Sequence, residues 1–445
     1  MFEYIIELIE QNKLLAARQQ LIELNVVDIE QVLEEIAQDK MLRLFRMLPK
    51  ETAAEVFAEM DSEQQQYIIE SITDHEINDI MEELYMDDTV DFIEEMPANV
   101  VKRVLRNTDE ATRKTINQLL NYPDDSAGSI MTTEFVDLKK EMTVAHALEH
   151  IRKTGMDKET IDTCYVISAQ RKLEGEITLR KLILSAPDSL VSELMDTNVK
   201  FVQTLTDKED AAHIFRKYNL ISMPVVDNEN RLVGIITVDD AIDVIEQENT
   251  EDFHKMAAIA PSEKEYLDTG VFSLAKNRIL WLFVLMISAT FTGMIIRNYE
   301  ATLSQVVALA SYIPMLMGTG GNAGTQSSTM IIRSLALNEV EFKDIFLVMW
   351  KEFRVGILTA AMLAVVNFAR IMIFDKVAIP VALTVCASLF CIVTIAKVIG
   401  GILPIIAKKI HLDPVIMASP IISTMLDATS LFIYFAFATS ILGIA

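Results

Sequence analysis

The sequence predicts a multidomain chain: an all-α superhelical N-terminal domain, a tandem α/β pair, a long connecting helix and an all-α membrane domain of five helices. Three observations predict it. Charge is divided, because from Lys276 onward 12 Lys and Arg face 8 Asp and Glu, a net +4, so that of the total −25 the first 275 residues carry −29. One α/β pattern occurs twice, 59 residues apart. Uncharged runs of 18 residues (279–296) and 30 residues (303–332) open an apolar C-terminal part, and a bilayer-spanning helix needs about 20 residues.

Residues 1–126 have a helical apolar period and few glycines. A motif recurs at 24-residue steps, Leu48-Pro49, Ile72-Thr73 and Met96-Pro97, each followed by an amphipathic stretch, with Pro or Thr where a helix can begin. Such spacing suggests stacked helix pairs. The N-terminus reads as an amphipathic helix with Tyr4, Ile5, Leu8 and Ile9 on one face and not as an export signal. The acidity argues against nucleic acid as a partner, since it repels phosphate, and favours divalent cations as counter-charge. Three cysteines, Cys164, Cys386 and Cys391, support neither a disulfide framework nor a cysteine zinc site.

At Tyr122 the sequence changes to YPDDSAGSIMT and then to the duplicated pattern. TVAHALEHIRKTG reads as a helix, TCYVIS and LEGEIT as strands and LRKLIL as a closing helix; KEDAAHIFRKYNL, SMPVVD, RLVGIIT and VDDAIDVIEQ repeat it. Tyr165 aligns with Pro224, Gly175 with Gly234 and Thr178 with Thr237. This resembles a tandem pair of CBS domains, here 127–190 and 191–245, whose clefts take adenine nucleotides. The family's G-x-x-T-x-x-D ending stands as Gly234, Thr237 and Asp240 in the second copy, which implies Thr237 and Asp240 as ATP contacts; Lys181 replaces the aspartate in the first. The last helix is expected to run on through an acidic segment to about residue 265, within a connecting region of 246–275.

Five spans are expected in residues 276–445: the two uncharged runs, 355–369, 377–396 and 414–445. Lys276, Arg278, Arg333, Lys343, Lys351, Arg354, Lys408 and Lys409 gather on one side, which the positive-inside rule makes cytoplasmic. The N-terminal domains are then cytoplasmic and the C-terminus lies outside.

Span two contains GTGGNAGTQSST, expected as a helix interrupted at depth by Pro314 and four glycines, with free carbonyls lining a watery path. Pro314, Gly318, Asn322 and Thr325 share a face; close helix packing through the glycines is the other reading. Gly318, Gly320 and Ala323 satisfy G-x-G-x-x-A, but no strand precedes them as a dinucleotide site requires. Span five carries one charge, Asp427, in a row with Ser419, Ser423 and Ser430 and bordered by Thr424. A carboxylate there costs roughly 3 kcal/mol and usually marks an ion or proton pathway; a structural ion pair with Lys397, isolated in span four, is the alternative.

The order of acidic helical domain, YPDDSAG junction, CBS pair, acidic connecting helix and five spans, with GTGGNAGTQ in the second and an aspartate in the fifth, resembles the MgtE magnesium channels over essentially the whole chain. The resemblance implies a homodimer in a bacterial cytoplasmic membrane whose pore, built from spans two and five, selects hydrated Mg2+ at Asp427. Asn322 is the asparagine of the second-span motif; Ser423, Ser419, Gly318 and Thr424 complete the expected pore set. Mg2+ takes oxygen ligands and sheds water reluctantly, so one carboxylate per protomer suffices. Asp87, Asp88, Asp91, Glu94 and Glu95 form one acidic run, and Asp239, Asp240, Asp243, Glu246, Glu248, Glu251 and Asp252 another. Cytosolic Mg2+ bridging these, with Asp413 at the start of span five, is expected to close the channel. No enzymatic activity is expected: HALEH (His146–His150) matches a zinc peptidase pattern only by letter, and DDAIDVIEQENTE lacks the glycine of a calcium loop. The rivals are a CBS-regulated transporter of Co2+ or Mn2+, a proton- or sodium-coupled antiporter using Asp427 as carrier, and a nucleotide-sensing receptor without a pore.

Overall fold

The computed structural model describes residues 2–261, 266–267, 269–417 and 419–443, with the side chains of Met417 and Ser419 outside the description. The chain divides into two compact units, Met1–Ile245 and Glu246–Ala445.

The first unit opens with ten short helices between Phe2 and Leu119 among the described residues. The 24-residue step is a step in helix starts: Pro49, Thr73 and Pro97 are the N-caps of Lys50–Glu59, Asp74–Glu83 and Ala98–Asn107. Thr73 does this through a reciprocal capping box with Glu76, each side chain accepting from the other's backbone amide. These three helices pack one on the next, and ion pairs bridge successive repeats, Arg46 to Glu76 at 2.8 Å and Arg103 to Asp74 at 2.9 Å.

Two three-stranded sheets follow. β1 (Asp137–Leu138), β2 (Thr163–Ile167) and β3 (Leu173–Thr178) lie in the order β1-β2-β3, parallel then antiparallel, and β4 (Val202–Gln203), β5 (Ser222–Val226) and β6 (Leu232–Thr237) repeat that arrangement. The register repeats too: Val166 pairs with Gly175, and Val225 with Gly234. Both glycines answer one constraint, a passing chain whose carbonyl would lie 2.8 Å (Asp196) or 2.7 Å (Thr132) from an added Cβ. Apolar residues of the helical domain, such as Phe57 and Ile93, and of the second α/β copy, such as Phe215 and Val244, form one continuous core.

The connecting helix covers Val238–Met256 and stops short of the expected length. Ala258 takes a left-handed conformation (φ 54°) and Pro261 cannot continue a ladder, so the chain turns there; residues 262–265 lie outside the described residues.

Among the described residues the second unit contains five long helices, Val271–Asn298, Ile313–Ala336, Ile345–Arg370, Ile379–Lys409 and Ser419–Leu442. Four stretches, Val271–Asn298, Phe342–Asp375, Ile379–Lys409 and Pro420–Leu442, are long and apolar enough to cross a membrane, with mean hydropathy of 2.3, 2.1, 2.4 and 1.6. The second helix is diluted by its Gly, Thr, Ser and Asn. It also begins ten residues later than its uncharged run, after a short helix (Glu300–Gln305) and a 3-10 segment (Val307–Tyr312). The expected interruption at depth does not occur: Pro314 sits in the first turn, where a missing amide costs nothing, and the helix is continuous through all four glycines.

Candidate functional site

The glycines of the second membrane helix sort by face. An added Cβ on Gly320 would meet Ser430 Oγ at 2.7 Å and Ile392 at 2.8 Å, and one on Gly324 would collide with Leu426 and stand 3.3 Å from the Ala396 carbonyl. Gly400 on the fourth helix lies directly against the Gly324 backbone. These positions are close packing, the alternative reading of the motif. Gly318 by contrast has nothing within 4 Å, and Gly321 meets only Ser423, at 3.4 Å. The open face belongs to a cleft of about 440 Å3 lined by Ile313, Pro314, Met317, Gly318, Gly321, Asn322, Ser423 and Asp427.

Asp427 is half-buried there, opposite the exposed Asn322, and has no hydrogen-bond or ion-pair partner among the described residues. A cleft edged by a carboxylate, a hydroxyl and an amide can accept the hydrogens of a cation's water shell. The serine row divides: Ser423 joins the cleft, whereas Ser430 is 1% exposed against Gly320 with its hydroxyl unpartnered. Thr424 donates to its own helix, to Ile421 O at 2.9 Å and Pro420 O at 3.2 Å, and does not line the cleft. The side chain of Ser419 lies outside the described residues. Lys397 is buried and donates to Gln326 Oε1 at 3.3 Å, not to Asp427, and Ser327 donates to Glu352 Oε2 at 2.6 Å.

A second constellation lies in the first unit. The helix Met86–Glu95 directs Asp87, Asp88 and Asp91 toward Asp239, Asp240 and Asp243 at the start of the connecting helix, so two runs distant in sequence come together. Glu59, Glu134 and Glu159, which sequence reading missed, join them. Asp88 is raised to about 7 by burial first and then by Asp240 and Glu59; Glu159 to about 8 by burial, Asp240 and Asp88; and Asp240 to about 6 by burial, with Asp239 and Asp243 adding to it. Asp87, 7% exposed, is held well above the carboxylate range by burial and Asp240. Asp91 reaches solvent at the rim yet rises to about 7 through desolvation by the surrounding protein and then Glu94. Glu159 Oε2 is buried and unpartnered. Among the described residues no three of these groups are arranged to grip a bare ion, so the cluster stores negative charge that protons or a hydrated cation can neutralise. Asp240 also sits in the first turn of its own helix, accepting from the Thr237 hydroxyl and, at 3.3 Å, from its amide.

In the second unit, Glu251 and Asp413 both bind Lys255, at 2.8 and 2.9 Å. Nothing in the acidic composition pointed to that lysine. Met256 beside it packs against Ile332 and Val415. Glu246 is exposed, and Glu248 and Asp252 lie on the same helix, each with a partner of its own.

Comparison with known proteins covers the whole length. The family described as "Divalent cation transporter" matches residues 313–437, "MgtE intracellular N domain" residues 24–125, and "CBS domain" residues 127–187 and 191–247. The magnesium transporter MgtE of Thermus thermophilus is 35% identical over 442 residues, 98% of this chain and 97% of that one. The magnesium transporter MgtE of Bacillus subtilis is 34% identical over 437 residues, 98% and 96% of the two chains. Among solved structures, the cytosolic domain of the Mg2+ channel MgtE in complex with ATP matches 55% of this chain and 100% of its own, at 33% identity and a TM-score of 0.52. The soluble part of a magnesium transporter matches 56% and 97%, at 28% identity and a TM-score of 0.52.

Proposed function

The chain belongs to the MgtE family of magnesium transporters, and on that premise we propose that it is a Mg2+-selective channel of the cytoplasmic membrane, closed when Mg2+ binds its cytosolic domains. The observation that carries the channel reading is the unpartnered Asp427 in a cleft with Ser423 and Asn322. A half-buried carboxylate without a cation partner is costly in a membrane helix unless an ion visits it. Mg2+ keeps its water, so Asp427 meets it through the hydration shell, with the Ser423 hydroxyl oxygen and the Asn322 amide oxygen accepting from the same waters. One carboxylate per chain keeps binding weak enough for release. Two protomers bringing their clefts together supply two. No ATP hydrolysis is needed: moving two charges down 100 mV yields about 4.6 kcal/mol.

The acidic cluster supports the gating part. Its carboxylates repel one another at cytosolic pH, and Mg2+ relieves that repulsion, drawing Asp87, Asp88 and Asp91 toward Asp239, Asp240 and Asp243. The connecting helix, with Glu246, Glu248, Glu251 and Asp252, carries the change toward Asp413 and the fifth helix. An adenine nucleotide at the CBS pair, near Thr237 and Asp240, is favoured by the ATP held in the solved cytosolic domain named above. This is transport and not catalysis. The domains lie at 1–126, 127–190, 191–245, 246–275 and 276–445, with the first three cytoplasmic and the C-terminus outside.

The test is Mg2+ uptake into proteoliposomes by wild type and Asp427→Ala, with low and then millimolar Mg2+ on the side of the cytosolic domains. Flux that requires Asp427 and falls as that Mg2+ rises is expected. Flux indifferent to Asp427 would exclude the channel reading.

A further inference from the structure

Lys397 is the only charge of the fourth membrane helix before Lys408. Its side chain is 6% exposed, and its amine donates to Gln326 Oε1 at 3.3 Å. An ammonium at that depth persists where it serves an ion path or pairs with a carboxylate. Pairing fails as an explanation: Asp427 has no partner among the described residues, and Glu352 accepts from Ser327. Gln326 is the informative end of the contact. It follows Asn322 by one helical turn and Gly318 by two, so it continues the row that lines the cleft, and it is exposed. The row and the buried cation are therefore joined by one hydrogen bond.

Resting on the channel reading, we propose that Lys397 is a positioning residue of the ion path: it holds Gln326, and with it the polar row of the second helix, and sets a fixed positive charge beside the cleft that shortens the stay of a divalent ion. Repulsion scales with ion charge, so Mg2+ feels twice what a monovalent cation feels. A path that only attracts binds too firmly to conduct. With Lys397 each chain offers the path one negative and one positive charge.

The experiment measures flux against Mg2+ concentration for the full chain in proteoliposomes, comparing wild type, Lys397→Met, Lys397→Arg and Gln326→Glu. Lys397→Met keeps the stem and removes the charge; it lowers the half-saturating Mg2+ concentration by about threefold or more, because the repulsion on the divalent ion is gone. Its maximal rate falls as well. Lys397→Arg retains wild-type half-saturation, which a role in packing alone would not produce. Gln326→Glu neutralises the same charge from the exposed end and gives the same shift, so it decides the matter if Lys397→Met does not insert. Unchanged half-saturation in Lys397→Met and Gln326→Glu overturns the proposal, as does equal loss in Lys397→Met and Lys397→Arg. A wild-type flux that does not require Asp427 removes the channel reading and this inference together, whereas Asp427-dependent flux indifferent to these changes removes the inference alone.

Discussion

Lys255 Nζ stands 2.8 Å from Glu251 and 2.9 Å from Asp413, so one ammonium ties the end of the connecting helix to the residue that leads into the fifth membrane helix. Burial opposes the charge, but hydrogen bonds to Glu251 and Asp413 outweigh it and hold the amine above the usual lysine range. Asp413, expected to share a Mg2+ site, here has a side-chain cation. Contact between the connecting helix and the fifth helix then has a part that does not wait for metal. Asp413→Asn is expected to raise the flux remaining at millimolar cytosolic-side Mg2+ by about two- to fivefold, the value of a partly exposed pair. Exchanging the pair, Lys255→Asp with Asp413→Lys, restores the wild-type level. Residual flux identical in Asp413→Asn and wild type would show the pair to be idle.

The acidic cluster makes the stability of the first unit, Met1–Ile245, depend on pH in a definite direction. Asp88, Glu159 and Asp240, at about 7, 8 and 6, lie above their ordinary values, so the folded state holds more protons than the unfolded one. Their contribution is complete below about pH 4 and is lost as pH rises to about 8. With EDTA present, the melting temperature of the first unit is expected to fall by at least about 5 °C between pH 5.5 and pH 8. Millimolar Mg2+ at pH 8 recovers it. A flat profile would mean that these carboxylates do not confront one another.

Removing one of the opposed charges tests the same cluster from the other side. Asp88→Asn is expected to raise the melting temperature in EDTA at pH 8 and to shrink the gain that Mg2+ provides. Calorimetry with and without Mg2+ measures both, and an unchanged Mg2+ gain would place the ion elsewhere.

The two glycine faces predict opposite phenotypes. Gly400→Ala drives a methyl into the Gly324 backbone and is expected to lower stability by about 1–3 kcal/mol, seen as lower yield and faster thermal inactivation in detergent. Gly318→Ala meets nothing within 4 Å, so folding is preserved while Mg2+ flux changes, because the methyl enters the cleft. Equal loss of yield in both would erase the distinction.

Much of this was readable in the sequence. The 24-residue step marks helix starts because Pro and Thr act locally, and the 59-residue duplication returned both sheets with their register because each glycine answers the same chain crossing. Asp427 stood out because a charge in an apolar run is costly wherever the neighbouring helices lie. What escaped depends on three-dimensional neighbours. Glu134 and Glu159 sit in loops with no periodic signal, and Lys255 is an ordinary lysine in an acidic helix until the fold brings Asp413 to it. Of the glycine motif only the expected interruption fails, and for the same reason: spacing gives the faces, but only the fourth and fifth helices decide which face is packed and which is open.

The backbone contact between Gly324 and Gly400 limits how any opening can occur. With no side chain between them, the second and fourth helices have no soft layer to shear, and sliding either along the other would drive backbone into Cβ atoms within one residue's rise. They act as a single slab, braced further by Ala396 beneath Gly324. Widening the path therefore falls to the fifth helix swinging on its short 3-10 lead, Pro414–Met417, or to whole slabs parting from one another. Gly324 and Gly400 thus fix the fulcrum, and Asp427, the carboxylate proposed to meet the ion, rides on the lever.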